Sequence, residues 1–163
     1  MTSVALGDGY WMAEGPPAVD DYLSLRGRAG LSPRRRDQAE AAVRGSWCGV
    51  HVIHEETDTV VAMGRVIGDG GWYFHIVDMA VLPEHQRRGL GNAVLTALLE
   101  RIRAGAPPGA YVSLIADEPG RPLYRRHGFE DTAPASIGMA RLLEKGGAGH
   151  RRGWPAPRSQ GRR

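Results

Sequence analysis

The chain has 163 residues, 42% apolar and 24% charged, which is the length and composition of one ordinary globular domain with a real core. No apolar run approaches the ~20 residues that span a bilayer, so no membrane partner is expected, and the first fifteen residues lack a basic stretch followed by an apolar one, so no secretory signal is expected. The single cysteine, Cys48, makes neither an internal disulfide nor a metal cluster, so a cytoplasmic protein without a metal is expected.

In chain order, Gly9 to Ala13 reads as a short strand, and the stretch from Val19 as a short helix carrying Val19, Tyr22, Leu23 and Leu25 and ended by Gly27 or Gly30. Ser32-Pro33 has the form of an N-cap followed by proline at the first helical position, which predicts a second helix from there to Gly45. Both helices have thin apolar faces and are expected at a sheet edge or over a site. Trp47–His54 and Thr59–Ile67 are β-prone and flank the turn-like Glu55–Asp58, which makes them a hairpin. Trp72–Leu82 is the longest strand candidate, and its nearly continuous apolar run suggests burial on both faces.

A long helix follows from about Gly89 to Ala104, with Leu90, Val94, Leu95, Leu98, Leu99 and Ile102 on one face. Gly105 and Pro107-Pro108 end it. Ala110–Ala116 is the next strand, parallel to the preceding one because a helix intervenes. A short helix, Arg121–His127, comes next, and Ala135–Arg141 is expected to be a last strand. The tail from Glu144 to Arg163 holds six basic residues and one acid, so it carries +5 of the overall +3, leaving −2 for residues 1–143. With almost no apolar residues it cannot offset its ordering entropy, and disorder is expected. A nucleic-acid arm is the sharper reading of that tail; only Trp154 is there to stack on bases and no base-reading module accompanies it, so nucleic acid is not favoured as a partner. The domain is therefore expected at 1–143 and a basic tail at 144–163.

The stretch Val81–Asn92, VLPEHQRRGLGN, organises the rest. A strand runs into a basic, glycine-punctuated turn that opens a helix. The first N–H groups of a helix have no partner within it, and its dipole favours an anion there. Glycines permit close backbone approach and arginines add charge-assisted bonds. A phosphate compound is the expected ligand. The turn has neither G-x-G-x-x-G nor G-K-[ST], so dinucleotide-binding and P-loop explanations do not fit.

Val81-x-Pro83, followed by Gln86-Arg87-Arg88-Gly89-Leu90-Gly91, resembles the acyl-CoA-binding motif of the GNAT superfamily of N-acetyltransferases. Leu123-Tyr124-Arg125-Arg126-His127-Gly128-Phe129 resembles the family's L-Y-x-x-x-G-F. The element order of two helices, a three-strand meander, helix, strand, helix and strand is also similar, over roughly residues 10–142. The resemblance implies an α/β fold: a central mixed sheet splayed between two parallel strands and flanked by helices.

The resemblance also implies transfer of the acetyl group of acetyl-CoA to a primary amine by direct attack in a ternary complex. A small-molecule amine is the leading acceptor. The alternatives are a peptide or protein amine, or a non-catalytic acyl-CoA-binding module. It implies that the backbone of Met79, Ala80 and Val81 bonds the pantetheine arm and acetyl carbonyl. The N–H groups of Arg87, Arg88, Gly89, Leu90, Gly91 and Asn92 would hold the pyrophosphate, helped by the Gln86 and Arg87 side chains, with Arg88 as readily left in solvent. Tyr124 matches the general acid for the departing thiolate. His75 falls where some members carry a base, and its ordinary pKa of ~6.5 suits that work; Asp78 is the other candidate base. Strict alternation puts these two on opposite faces unless a bulge intervenes. Asp117 stands where the family often has asparagine, and an ionised carboxylate accepts but does not donate a hydrogen bond. Trp72, Tyr73 and Phe74, with Tyr10, Trp11, Tyr22 and Trp47, are candidate walls for the acceptor. Glu84 and His85 are expected to face solvent. A homodimer is left open.

Overall fold

The computed structural model describes residues 3–143, and the basic tail 144–163 lies outside them. Contacts divide the chain after Ile115 into two compact units.

The first unit is built on a six-stranded sheet in the order β1-β2-β3-β4-β5-β6: Ser3–Gly7, Tyr10–Glu14, Cys48–His54, Thr59–Gly68, Tyr73–Val81 and Tyr111–Leu114. Strands β1 to β5 form an antiparallel meander, and β6 joins parallel to β5. The meander is longer than sequence predicts, because β1 has no strong strand signal of its own. Its partner reaches it through Asp8-Gly9, both at positive φ, as a tight two-residue hairpin demands.

Between β5 and β6 the chain crosses over as α3, Leu90–Gly105. Its apolar stripe Leu90, Val94, Leu95, Leu98 and Ile102 is buried against β3, β4 and β5. Gly64 on β4 lets α3 come close: a Cβ there would stand 2.7 Å from both Met79 Sδ and Val94 Cγ1. The opposite face of the sheet receives α1, Val19–Arg28, which buries Tyr22 and Leu25 and touches β4 and β5. Helix α2, Arg36–Arg44, packs on α1 and buries only Ala39. It starts later than Ser32-Pro33 suggests, with the Arg35 N–H donating to Gln38 Oε1 at 3.2 Å. The Ser32 carbonyl is engaged instead by the Arg26 guanidinium, at 2.7 and 3.2 Å. Strand β5 is closed on the α3 side by Phe74 and Ile76, but Tyr73 at its start and Trp72 just before it are exposed, so the run is not buried on both faces along its whole length.

The second unit contains a single turn of 3-10 helix at Glu118–Gly120 and the short helix α4, Arg121–Arg126. Residues 135–141, expected as a strand, are irregular, and Ile137 and Met139 are exposed. Strand propensity expresses side-chain packing on a ladder, and no strand partners these residues among those described.

Candidate active site

The ladder between β5 and β6 runs only from Tyr73↔Tyr111 to Ile76↔Leu114. On its other edge β5 stays paired with β4 as far as Ala62↔Val81. From Val77 to Val81 one edge of β5 therefore has no strand beside it among the described residues. Such an edge is a template for an extended, amide-bearing ligand. Gln86 Nε2 donates to the Val81 carbonyl at 3.2 Å, so the turn's own side chain touches this edge.

A register shift between Met63 and Arg65 marks a bulge in β5, and Asp78 at its centre has φ 56°. Two residues, Asp78 and Met79, face the single Gly64. Directly opposed residues of antiparallel strands share a face, so His75 lies with Ile67 and Val77 with Arg65. The bulge adds Asp78 to that same face, where its carboxylate meets Arg65, and the Met79 sulfur points the other way, toward Gly64. The alternation that would separate His75 from Asp78 is thus broken.

Asp78 is occupied by its neighbours. Its Oδ2 accepts from the Tyr22 hydroxyl at 2.6 Å and from Arg65 Nε at 2.5 Å, while Oδ1 accepts from Arg26. Arg26, Arg65 and Asp78 are 4%, 12% and 13% exposed. Burial works to raise the Asp78 carboxyl; the Tyr22 hydroxyl and the two guanidiniums outweigh it, and the net displacement is downward. A carboxylate so furnished is a weak proton acceptor. Arg26, Arg65 and Tyr22 are the partners that sequence reasoning missed. The available signal was a charge inside each of two apolar runs, Arg65 in VVAMGRVI and Asp78 in YFHIVDMAV, on strands already expected to neighbour each other.

His75 is half-buried, with Nδ1 2.8 Å from Ser113 Oγ, and burial holds its imidazole below the ordinary histidine range. It is therefore neutral at neutral pH and able to accept a proton.

Beyond the edge, Pro83–His85 forms one turn of 3-10 helix. Arg87 (φ 61°) and Gly89 (φ 80°) both take the left-handed conformation on the way into α3. Alternating handedness of this kind turns successive N–H groups into a concavity suited to anions. No side-chain hydrogen bond caps the start of α3, and its first turn has no acid. Arg87 and Arg88 are both exposed. Glu84 is exposed, as expected, but His85 is half-buried. Glu84 is paired with Arg28, while His85 Nδ1 lies 2.9 Å from the buried Tyr10 hydroxyl and its ring 4.9 Å from that of His54.

The aromatic residues separate into different roles. Phe74 is buried against Trp47 on the α3 side of the sheet, and Tyr22 serves Asp78. Exposed Trp72, Tyr73 and Tyr111 cluster with centroids 5.4–6.3 Å apart. Tyr73 and Tyr111, in register, share the face of His75 and Ser113. Cys48 is half-buried, and burial pushes its thiol up to about 11, as expected of an inert core-side cysteine. Among the described residues no three His, Cys, Asp or Glu side chains converge as for a metal, and no helix is long and apolar enough to cross a membrane.

In the second unit, Tyr124 lies on α4, half-buried and edge-on to Phe129 at 6.2 Å. Burial and then the charge of Asp117 raise its phenol, so it keeps its proton. Gly120 makes room for the ring: a Cβ there would stand 2.9 Å from Tyr124 Cε2. Asp117 precedes the 3-10 turn and is exposed.

The sequence model of the acetyltransferase (GNAT) domain matches residues 46–131. No curated protein matches the chain. Among solved structures, a probable acetyltransferase of unknown function from meticillin-resistant Staphylococcus aureus is 37% identical over 82% of this chain and 99% of its own, with a TM-score of 0.77. A GNAT family acetyltransferase from Streptococcus pneumoniae TIGR4 is 23% identical over 84% of this chain and 99% of its own, at 0.66. Glucosamine-6-phosphate N-acetyltransferase from Arabidopsis thaliana, 16% identical over 83% of this chain and 99% of its own, shares the fold at 0.63. The domain match, the 37% identity and the six-stranded sheet with its one parallel pair agree: this chain belongs to the GNAT acetyltransferase family.

Proposed function

We propose that the chain transfers the acetyl group of acetyl-CoA to a primary amine of a small molecule, by direct attack in a ternary complex, with residues 1–143 acting as one catalytic domain. The observation that carries this reading is the one-sided edge of β5, which leads through one 3-10 turn into the left-handed turn and uncapped start of α3. An extended arm with amides and a terminal pyrophosphate matches both parts. The backbone of Met79, Ala80 and Val81 would hold the arm, and Gln86 to Asn92 the phosphates, with Asp117 accepting a hydrogen bond. Acetyl-CoA supplies an activated thioester.

The chain's own residues do the remaining work. An N–H at the Asp78–Met79 bulge faces the developing oxyanion; such a donor is worth about 3 kcal/mol. His75 takes the first proton lost by the acceptor ammonium. Asp78 positions the bulge instead of acting as base, because its lone pairs are committed to Tyr22, Arg26 and Arg65. Tyr124, whose phenol stays protonated, is the donor to the leaving thiolate. The exposed rings of Trp72, Tyr73 and Tyr111, of which Tyr73 lies two residues or about 7 Å along β5 from His75, favour an acceptor with an apolar or aromatic body.

Thiol release over a panel of amines tests the reading. Tyr124→Phe should lower kcat by about 10²-fold or more while acetyl-CoA affinity is kept. Acetyl-CoA at ~100 Kd should add roughly 2.7 kcal/mol of stability. Absence of turnover with every amine, together with no stabilisation by acetyl-CoA, would refute it. Stabilisation without turnover would identify an acyl-CoA-binding module instead.

A further inference from the structure

His75 and Ser113 face each other in register across the parallel β5–β6 pair, one position before the ladder ends. His75 Nδ1 lies 2.8 Å from Ser113 Oγ. Either group can donate in that bond, and the surroundings of the hydroxyl favour donation by His75. Ser113 Oγ is also 3.2 Å from the Tyr73 phenol oxygen and 3.4 Å from the Phe74 carbonyl. A serine has one proton to give, and a carbonyl can only accept. With that proton directed to Phe74 or Tyr73, Oγ turns a lone pair toward His75, and Nδ1 must carry the hydrogen. A neutral imidazole has one N–H, so Nε2 is left as an unprotonated acceptor. An unconstrained ring prefers the other tautomer, with Nε2 protonated and unable to accept.

We propose that Ser113 is a positioning residue that fixes His75 as the Nδ1–H tautomer and so presents Nε2 as the proton acceptor of the transfer reaction. The proposal rests on the assignment of His75 as base. The protons balance. The acceptor ammonium loses two protons: the first goes to Nε2, directly or through one water, and the second, released as the tetrahedral intermediate collapses, replaces the proton that Tyr124 gives the thiolate; the resulting imidazolium keeps its Nδ1–H on Ser113. After the amide product leaves, Nε2 returns the proton to solvent. Tyr73 has a secondary part, since the Phe74 carbonyl alone can orient the Ser113 hydroxyl.

A ¹H–¹⁵N spectrum of the histidine-labelled protein at neutral pH reads the tautomer without reference to turnover, the His75 signals being assigned by their loss in His75→Gln. Wild type should show a protonated Nδ1 and a bare Nε2. Ser113→Ala should shift His75 toward the Nε2–H form and lower kcat roughly tenfold, with KM for acetyl-CoA within about twofold. Ser113→Thr, which keeps the hydroxyl, should restore both. Tyr73→Phe should leave the tautomer unchanged. An Nε2–H tautomer in wild type, or an unchanged tautomer in Ser113→Ala, overturns the role of Ser113. Full turnover by His75→Gln overturns the base assignment beneath it, and the spectrum tells the two failures apart.

Discussion

Replacing Asp78 with asparagine tests whether its charge serves the fold or the chemistry. The substitution keeps shape and removes charge from between two guanidiniums that are 4% and 12% exposed. It also creates a donor facing donors. Oδ2 now accepts from Tyr22 and Arg65 and Oδ1 from Arg26, so an amide NH2 in either orientation points at an N–H or O–H. Removing one partner of a buried ion pair costs about 3–5 kcal/mol. Arg26 keeps the Ser32 carbonyl and Arg65 the Ala42 carbonyl, which favours the lower end of that range. At about 2–4 °C per kcal/mol for a chain of this size, the melting temperature should fall by roughly 6–20 °C. Tyr22→Phe, which removes one hydrogen bond and no charge, should cost about 1 kcal/mol. Thermal unfolding followed by circular dichroism at neutral pH reads both. The wild-type contribution also has a sign in pH: the folded-state pKa of Asp78 is depressed, so its stabilisation is present above the unfolded value of ~3.9 and is lost as pH falls through the folded value. A melting temperature for Asp78→Asn within about 2 °C of wild type, with kcat abolished, would overturn the assignment and restore Asp78 as the base.

Two further expectations follow from the packing and from His75. Gly64→Ala puts a Cβ within 2.7–2.9 Å of Met79, Val94 and Leu98, and should cost about 1–3 kcal/mol through overpacking; a lowered urea midpoint at constant slope checks it, and an unchanged midpoint refutes the close approach. The acid limb of kcat/KM should lie below the ordinary histidine value of ~6.5 because burial holds His75 down, and His75→Gln should remove it. A limb well above that value would assign the proton transfer elsewhere.

What the sequence makes legible is local. The apolar period of α3, the β5 run and the existence of a turn between them can be read directly, because helix, strand and turn each have signatures within a dozen residues. The bulge cannot. It depends on Gly64 of one strand facing two residues of another, and only then does Asp78 join the face of His75. The Arg26–Asp78–Arg65 cluster likewise joins residues up to 52 positions apart. Aromatic residues close in sequence looked like one pocket wall, yet Phe74 and Tyr73 point to opposite sides of the sheet, one buried and one exposed. The segment 135–141 shows the opposite failure, a strand-like pattern without a strand.

The contact of His85 with Tyr10 has a consequence for affinity. Tyr10 is buried in β2, and its hydroxyl fastens the 3-10 turn just before Gln86 from behind, with the His54 ring tilted against both. Immobilising backbone costs about 1–2 kcal/mol per residue. Here that entropy is lost when the sheet folds rather than when an anion arrives. A cradle rigid beforehand lets more of the interaction with a phosphate appear as binding free energy. Loosening it by Tyr10→Phe should therefore weaken an anion held at residues that Tyr10 never touches.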